Sequence, residues 1–172
     1  MAIRPARPHD APAVAEIRIA GWQGYAGLLD PAYVTGDGFA HQARTGAATW
    51  LADVDERGWS PSGATLLVHE TDGSVDGWVS FGTDRDDPTR GEVWGLYVAP
   101  TAWGSGTAAQ LLGTATEHLK GQGFAELVLW CLEGNDRALR FYQREGWHLD
   151  GTRQQRDFGP AGAAIELRLT RA

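Results

Sequence analysis

Residues 92–112 read EVWGLYVAPTAWGSGTAAQLL, which predicts a strand, a glycine turn and a helix in direct succession. The strand ends at Pro100, because proline has no N–H to donate to a sheet ladder. Apolar residues at helical spacing begin at Ala108, just after two closely spaced glycines. Small residues at a helix start leave its first backbone N–H groups unshielded, and these donors suit a phosphate. The stretch therefore predicts an anion-binding turn between a strand and a helix.

Alternation within the predicted strand assigns its side chains to two faces of a sheet. We expect one face to carry Glu92, Trp94, Leu96 and Val98, and the other to carry Val93 and Tyr97. The helix that follows has one apolar face, formed by Ala108, Leu111, Leu112, Ala115 and Leu119. The strand and the helix are thus both predicted to contribute to a core.

One interpretation of this turn is a dinucleotide site. Residues 104–109, GSGTAA, fit the fingerprint G-x-G-x-x-A. That fingerprint requires its first glycine directly after the strand, whereas residues 99–103 intervene here. It also requires a carboxylate at the end of the next strand, and Glu126 lies near the start of the next apolar run. A dinucleotide-dependent oxidoreductase is therefore the weaker alternative.

The turn more closely resembles the acyl-CoA loop of the GNAT superfamily of N-acetyltransferases, V-x-P followed by Q/R-x-x-G-x-G/A. Residues 98–100 are VAP and residues 103–108 are WGSGTA, so Trp103 stands where the family usually has Gln or Arg. A second segment, residues 135–147 (NDRALRFYQREGW), resembles the family signature N-x-x-A-x-x-F-Y-x-x-x-G-F and differs at the last aromatic. With both motifs in the family's order, the chain is similar to GNAT enzymes over roughly residues 65–150 and more loosely at its ends.

The resemblance implies a mixed α/β fold, with a largely antiparallel sheet and helices on both faces. The hydrophobic pattern fits the order β-α-α-β-β-β-α-β-α-β-β within one domain over residues 1–172. Strands are predicted at residues 64–70, 77–83 and 125–132, and a helix is predicted to follow Asn135. In the GNAT fold the central strand and the next one splay apart, and pantetheine lies between them.

The resemblance also implies that acetyl-CoA is the co-substrate, and the scattered histidines lead us to expect no metal. Backbone N–H groups of the turn would bind the pyrophosphate, and a strand amide would polarise the thioester carbonyl. Backbone donors, rather than a side-chain charge, are expected to carry this binding, since Trp103 offers no charge. The expected cofactor-binding residues are Leu96, Tyr97, Val98, Trp103, Gly104, Ser105, Gly106, Thr107, Ala108, Asn135, Ala138, Phe141 and Tyr142.

Two residues are candidates for catalysis. The resemblance directs Tyr142 at the cofactor sulfur, where its hydroxyl would hydrogen-bond to the departing thiolate. Glu92 is the candidate base, because GNAT enzymes often place a glutamate at this point of the central strand. A base is needed because an alkylammonium with a pKa of about 10.4 is almost wholly protonated at neutral pH. Glu92 would accept the proton directly or through water.

The acceptor is expected to be a small-molecule or peptide amine. The acetyl group would pass to it directly from acetyl-CoA within a ternary complex. Trp22, Tyr25 and Tyr33 lie in the helix–loop region that borders the acceptor site in the family, and we expect them to bind the substrate. A non-catalytic acyl-CoA sensor on the same fold remains an alternative function. A homodimer is the assembly that the resemblance suggests, since many members of the family pair as dimers.

Composition limits the other functions. The net charge of −7 argues against a nucleic-acid partner. No run of residues has the length and apolar character of a membrane span, so no membrane partner and a cytoplasmic location are expected. Cys131 is the single cysteine, which leaves no internal disulfide, and the five histidines show no metal-ligand spacing.

Overall fold

A computed structural model describes residues 2–172 as a seven-stranded sheet flanked by helices. The strands lie in the order β1-β2-β3-β4-β5-β7-β6. Every neighbouring pair is antiparallel except β4 and β5, which are parallel. The strands are β1 (Ala2–Pro5), β2 (Ala64–Thr71), β3 (Ser74–Thr83), β4 (Gly91–Val98), β5 (Leu127–Leu132), β6 (His148–Asp157) and β7 (Ala163–Arg171).

Helices cover both faces of the sheet, which confirms the predicted fold class. They are α1 (Ala11–Gln23), α2 (Pro31–Val34), α3 (Asp37–Ala52), α4 (Thr107–Gly121) and α5 (Asp136–Arg144). Helices α4 and α5 pack against one apolar cluster that includes Phe81, Leu127 and Leu129. Helices α1 and α3 pack against a second cluster around Leu66 and Val68 on the opposite face. Within residues 2–172, none of these helices is both long and apolar enough to cross a membrane.

Strand β4 contains a bulge that reverses its alternation. On β3, Ser80 pairs with Gly95 and Phe81 pairs with Val93, so Trp94 has no partner. Because of this extra residue, Val93 and Leu96 both pack against the cluster beneath α4 and α5. The prediction that Leu96 shares a face with Glu92, opposite Val93, is therefore wrong.

Beyond the bulge, Val98 also packs on the α4 side, whereas Tyr97 packs on the α1 side. Glu92 and Tyr97 consequently belong to the same face of the sheet, the face that α1 covers. The sequence pattern alone could not reveal this change, because a bulge depends on the pairing with β3.

Strands β4 and β5 share a ladder only at their first residues. The pairs are Gly91 with Leu127, Glu92 with Val128 and Val93 with Leu129. Beyond these pairs, β4 continues to Val98 and β5 to Leu132 without hydrogen bonds between them. The splay that the family resemblance implied is confirmed, and it leaves unpaired backbone on both sides of a gap.

Candidate active site

The loop between β4 and α4 has the backbone shape of an anion-binding turn. Gly104 has φ of 83° and Gly106 has φ of 92°, values that favour glycine. No backbone hydrogen bond within residues 2–172 uses the N–H groups of Gly104, Gly106 or Ala108. These donors precede or open the first turn of α4, where the helix dipole is positive. The loop therefore presents unused N–H groups at a helix start.

The loop forms one wall of a cleft of about 800 Å³. The splayed end of β4, helix α5 and the end of α1 form the other walls. Most of the residues predicted to bind the cofactor line this cleft. From the strand and the loop they are Leu96, Tyr97, Val98, Trp103, Gly104, Gly106 and Ala108, and from α5 and its cap they are Asn135, Ala138, Phe141 and Tyr142.

Ser105 and Thr107 do not line the cleft, although both were predicted to bind the cofactor. Their hydroxyl oxygens lie 2.9 Å apart, and the Ser105 hydroxyl donates to the carbonyl of Ala102 at 2.7 Å. Thr107 is only 1% exposed. These side chains hold the loop in shape. The N–H groups of both residues are also already hydrogen-bonded, that of Ser105 to the Ala102 carbonyl and that of Thr107 to the Ser105 hydroxyl.

The second motif, residues 135–147, forms helix α5, which makes one wall of the cleft. The Asn135 side chain accepts a hydrogen bond from the Ala138 N–H at 3.2 Å and so caps α5. Gly146, with φ of 82°, follows the helix and lets the chain turn into β6. Between these ends, Ala138, Phe141 and Tyr142 all face the cluster and the cleft, as their spacing predicted.

The Tyr142 side chain lines the cleft and packs against the cluster that includes Cys131. Burial raises the pKa of Tyr142 well above its usual value, and the nearby Cys131 and Tyr97 add to the effect. The phenol therefore keeps its proton at any working pH. A neutral hydroxyl in a largely buried position can donate a hydrogen bond to an atom in the cleft.

Glu92 lies deeper than the sequence suggested. It is 1% exposed and is not among the residues that line the cleft. The Arg85 guanidinium donates to both of its carboxylate oxygens, at 2.5 and 3.0 Å. The Arg85 backbone N–H adds a third bond at 3.2 Å. A base role for Glu92 would therefore have to act through a bridging water rather than by direct contact.

Of the aromatic residues predicted to bind the acceptor, only Tyr25 lines the cleft. Trp22 is 8% exposed, stacks on Phe39 at 4.6 Å and belongs to the core instead. The indole N–H of Trp22 donates to the Tyr97 hydroxyl at 3.0 Å. The Tyr33 hydroxyl donates to Gln42 at 3.0 Å on the surface. Trp22 thus orients a cleft residue without reaching the cleft itself.

The end of α1 borders the cleft because it carries small residues. Ala20, Gly21 and Gly24 line the cleft, although the sequence analysis did not select them. A Cβ at Gly21 would lie 2.7 Å from the Tyr97 ring, so glycine allows that ring to lie against the helix. The signal in the sequence was Gly21, a glycine within a helix, where glycine is otherwise unfavourable, followed by Gly24 just past the helix end.

Sequence analysis also missed three arginines on α5. Arg137, Arg140 and Arg144 line the cleft, spaced by three and four residues, which places them along one side of the helix. That spacing was visible in the sequence and could have identified them. They give the cleft a positive wall in a chain whose net charge is −7.

Other reactive groups are not placed for chemistry. Burial raises the pKa of the Cys131 thiol to about 12, so it stays neutral and unreactive. Within residues 2–172 there is no group of His, Cys, Asp or Glu side chains that could hold a metal ion. Residues 99–103, with a 3₁₀ turn at Pro100–Ala102, separate β4 from the first glycine, which disagrees with the dinucleotide fingerprint.

Comparisons with known proteins agree with this geometry. The model of the Acetyltransferase (GNAT) family matches residues 33–147. A probable N-acetyltransferase of Mycobacterium tuberculosis is 31% identical over 150 residues, which cover 87% of this chain and 80% of that protein. A mycothiol acetyltransferase of Kocuria rhizophila is 31% identical over 131 residues, or 69% of this chain but only 42% of the relative.

The fold also matches solved structures. The PaiA N-acetyltransferase of Thermoplasma acidophilum, solved in complex with coenzyme A, superposes with a TM-score of 0.71. The match covers 96% of each chain. Because the sequence identity is only 18%, the match supports the fold alone. The family match and the mycobacterial relative together show that this chain belongs to the GNAT family of acetyltransferases.

Proposed function

We propose that this protein transfers the acetyl group of acetyl-CoA directly to a primary amine within a ternary complex. The observation that carries the proposal is that the splayed end of β4, the glycine loop and Tyr142 all meet in one cleft. We further propose that residues 1–172 act as one catalytic domain. Relatives named as N-acetyltransferases support the reaction class.

The residues of the cleft fit the chemistry of acetyl-CoA. Unused N–H groups at Gly104, Gly106 and Ala108 suit the pyrophosphate. At Leu96–Val98 the edge of β4 that faces away from β3 has no partner strand. This edge suits the amide-containing pantetheine arm, which can hydrogen-bond like an added strand. A backbone N–H in the same segment would polarise the thioester carbonyl. The co-substrate supplies an activated acyl group, and the chain supplies its orientation.

Transfer forms a C–N bond, breaks a C–S bond and releases a thiol. The amine must lose a proton, and Glu92 would accept it through a bridging water because Arg85 occupies its carboxylate. Tyr142 would donate a hydrogen bond to the departing sulfur. Its raised pKa makes complete transfer of the phenol proton unfavourable, so the thiolate would take its final proton from solvent.

The acceptor would be a small-molecule or peptide amine. Several relatives are named mycothiol acetyltransferases, but the chain spans about half or less of their length. A substrate related to mycothiol is therefore one acceptor to test rather than an assignment. Tyr25 borders the cleft and would contact the acceptor.

The proposal is tested by binding and by turnover. Calorimetry should detect CoA binding to the intact protein. A panel of alkylamines, polyamines, amino acids, N-terminal peptides and a mycothiol precursor should then be assayed with acetyl-CoA and a thiol-reactive dye. Acceptor-dependent release of free thiol is the expected result. CoA binding without turnover of any amine would favour the acyl-CoA sensor, and absence of CoA binding would overturn the proposal.

A further inference from the structure

Trp103 makes two contacts that hold it in a defined position although it is half-exposed. Its indole N–H donates to the Val98 carbonyl at 3.0 Å, at the end of β4. The Arg137 guanidinium carbon lies 3.7 Å from the centroid of its ring, a close cation–π contact. The indole therefore connects the end of β4 to the first turn of α5 across the mouth of the cleft.

The guanidinium that rests on this ring has no competing partner. Within residues 2–172, the arginines that pair with carboxylates are Arg4, Arg44, Arg85, Arg90, Arg153, Arg156 and Arg168. Arg137 is not among them, and it lines the cleft together with Gly104 and Gly106. An arginine has five N–H donors, and stacking on the indole face leaves the donors at its edge free.

We infer that Arg137, held in place by Trp103, binds a phosphate of the pyrophosphate group of the co-substrate. The inference rests on the proposed use of acetyl-CoA and assigns a charge that the glycine loop itself lacks. Trp103 itself brings no charge to the loop. Its indole supports a cation that comes from α5 rather than from the loop.

Arg137 differs from the other two cleft arginines of α5 in its contact with the glycine loop. Arg140 and Arg144 also line the cleft, but Arg137 is the one whose guanidinium contacts the residue next to Gly104. Stacking reduces the number of orientations that a long side chain can adopt, so less freedom is lost when a phosphate binds. Arg137 thus has both the location and the ordering that a phosphate ligand requires.

The test compares cofactors with and without phosphates, using the protein of residues 1–172. Arg137→Ala should raise the Kd for CoA about 10-fold or more, measured by calorimetry, because a charge-assisted hydrogen bond is lost. Acetyl-pantetheine carries the same thioester but no phosphate, so its kcat/KM should be unchanged. Arg153→Ala removes an arginine that does not line the cleft, and should leave both values unchanged.

Variants of Trp103 test whether its ring holds the Arg137 guanidinium in place. Trp103→Ala should weaken CoA binding, and should add little once Arg137 is already alanine, because the two residues act as one unit. Trp103→Phe keeps a ring face and should retain much of the affinity. Normal CoA binding by Arg137→Ala, or an equal loss of kcat/KM with acetyl-pantetheine, would overturn the inference. Failure of the wild-type protein to bind CoA would instead overturn the proposed function.

Discussion

The Arg85 guanidinium donates two hydrogen bonds to the Glu92 carboxylate, at 2.5 and 3.0 Å. The same guanidinium lies 5.5 Å from the centre of the Trp94 ring. Trp94 is the bulged residue of β4, so the same irregularity that redirects the strand lies beside this ion pair. The pair gives a nearly inaccessible carboxyl group a cationic partner. Glu92 therefore combines a structural role with its proposed catalytic one, and an experiment must separate the two.

Glu92→Gln keeps the shape of the side chain and removes its charge. With an alkylamine acceptor, kcat/KM should fall about 10²- to 10⁴-fold, because the amine loses its route for deprotonation. With an aniline, which is already neutral at pH 7, the fall should be much smaller. Steady-state kinetics measure kcat/KM for the alkylamine and for the aniline. An equal fall for the two would assign Glu92 to structure alone, and unchanged rates would mean that water is the base.

Gly106→Ala should weaken CoA binding while the protein stays folded. Gly106 has φ of 92°, so a Cβ there strains the loop that presents the N–H donors. Gly113, within α4, has open space around it and is the matched control. Gly113→Ala should leave CoA binding unchanged and stabilise the helix by up to about 1 kcal/mol. Calorimetry measures the CoA affinity of both variants, and thermal melts measure their stability. Normal CoA binding by Gly106→Ala would show that the loop is not part of the binding site.

Tyr142→Phe should lower kcat and leave the KM for acetyl-CoA nearly unchanged. The ring and its packing remain, but the hydrogen bond proposed for the departing sulfur is lost, and that bond matters most in the transition state. Tyr33→Phe, which removes a surface hydroxyl bonded to Gln42, is the control and should have no effect. If kcat is undiminished when chemistry limits turnover, Tyr142 serves only as packing.

Asp10→Asn should lower the free energy of unfolding at pH 7 by about 2 to 3 kcal/mol, the scale of hydrogen bonds to a charged group. Burial alone raises the pKa of Asp10, but hydrogen bonds from Arg4 and from the Arg7 N–H outweigh it and lower the pKa. The ionised form is therefore the stabilising one. Its contribution is present above the unfolded pKa of about 3.9 and is lost as pH falls through the lower folded value.

Urea unfolding at several pH values measures this effect. The difference between the wild type and Asp10→Asn should shrink as the pH falls below about 4. Glu16→Gln is the comparison, because Glu16 pairs with Arg44 on the surface, with both side chains more than half exposed. That change should cost less than about 1 kcal/mol. A difference for Asp10→Asn that does not depend on pH would show that the carboxylate charge is not what stabilises the fold.

The sequence by itself determined the local geometry of both motifs. Gly104, Gly106 and Gly146 adopt the positive φ angles that glycine permits, and Asn135 caps α5 as its position predicted. The strands predicted at residues 64–70, 77–83 and 125–132 also lie within about three residues of the observed β2, β3 and β5. These features depend on residues that are neighbours along the chain, so a pattern of residue types is sufficient to predict them.

Tertiary structure decided the features that depend on distant partners. The bulge at Trp94 exists only through the register with β3, and it moved Leu96 to the face opposite Glu92. Trp22 became a core residue because Phe39 stacks on it from α3. The contact between Arg137 and Trp103 joins two motifs that alternation and helical spacing treat separately. Sequence periods describe single elements, whereas ion pairs, bulges and stacked rings are set by how the elements pack together.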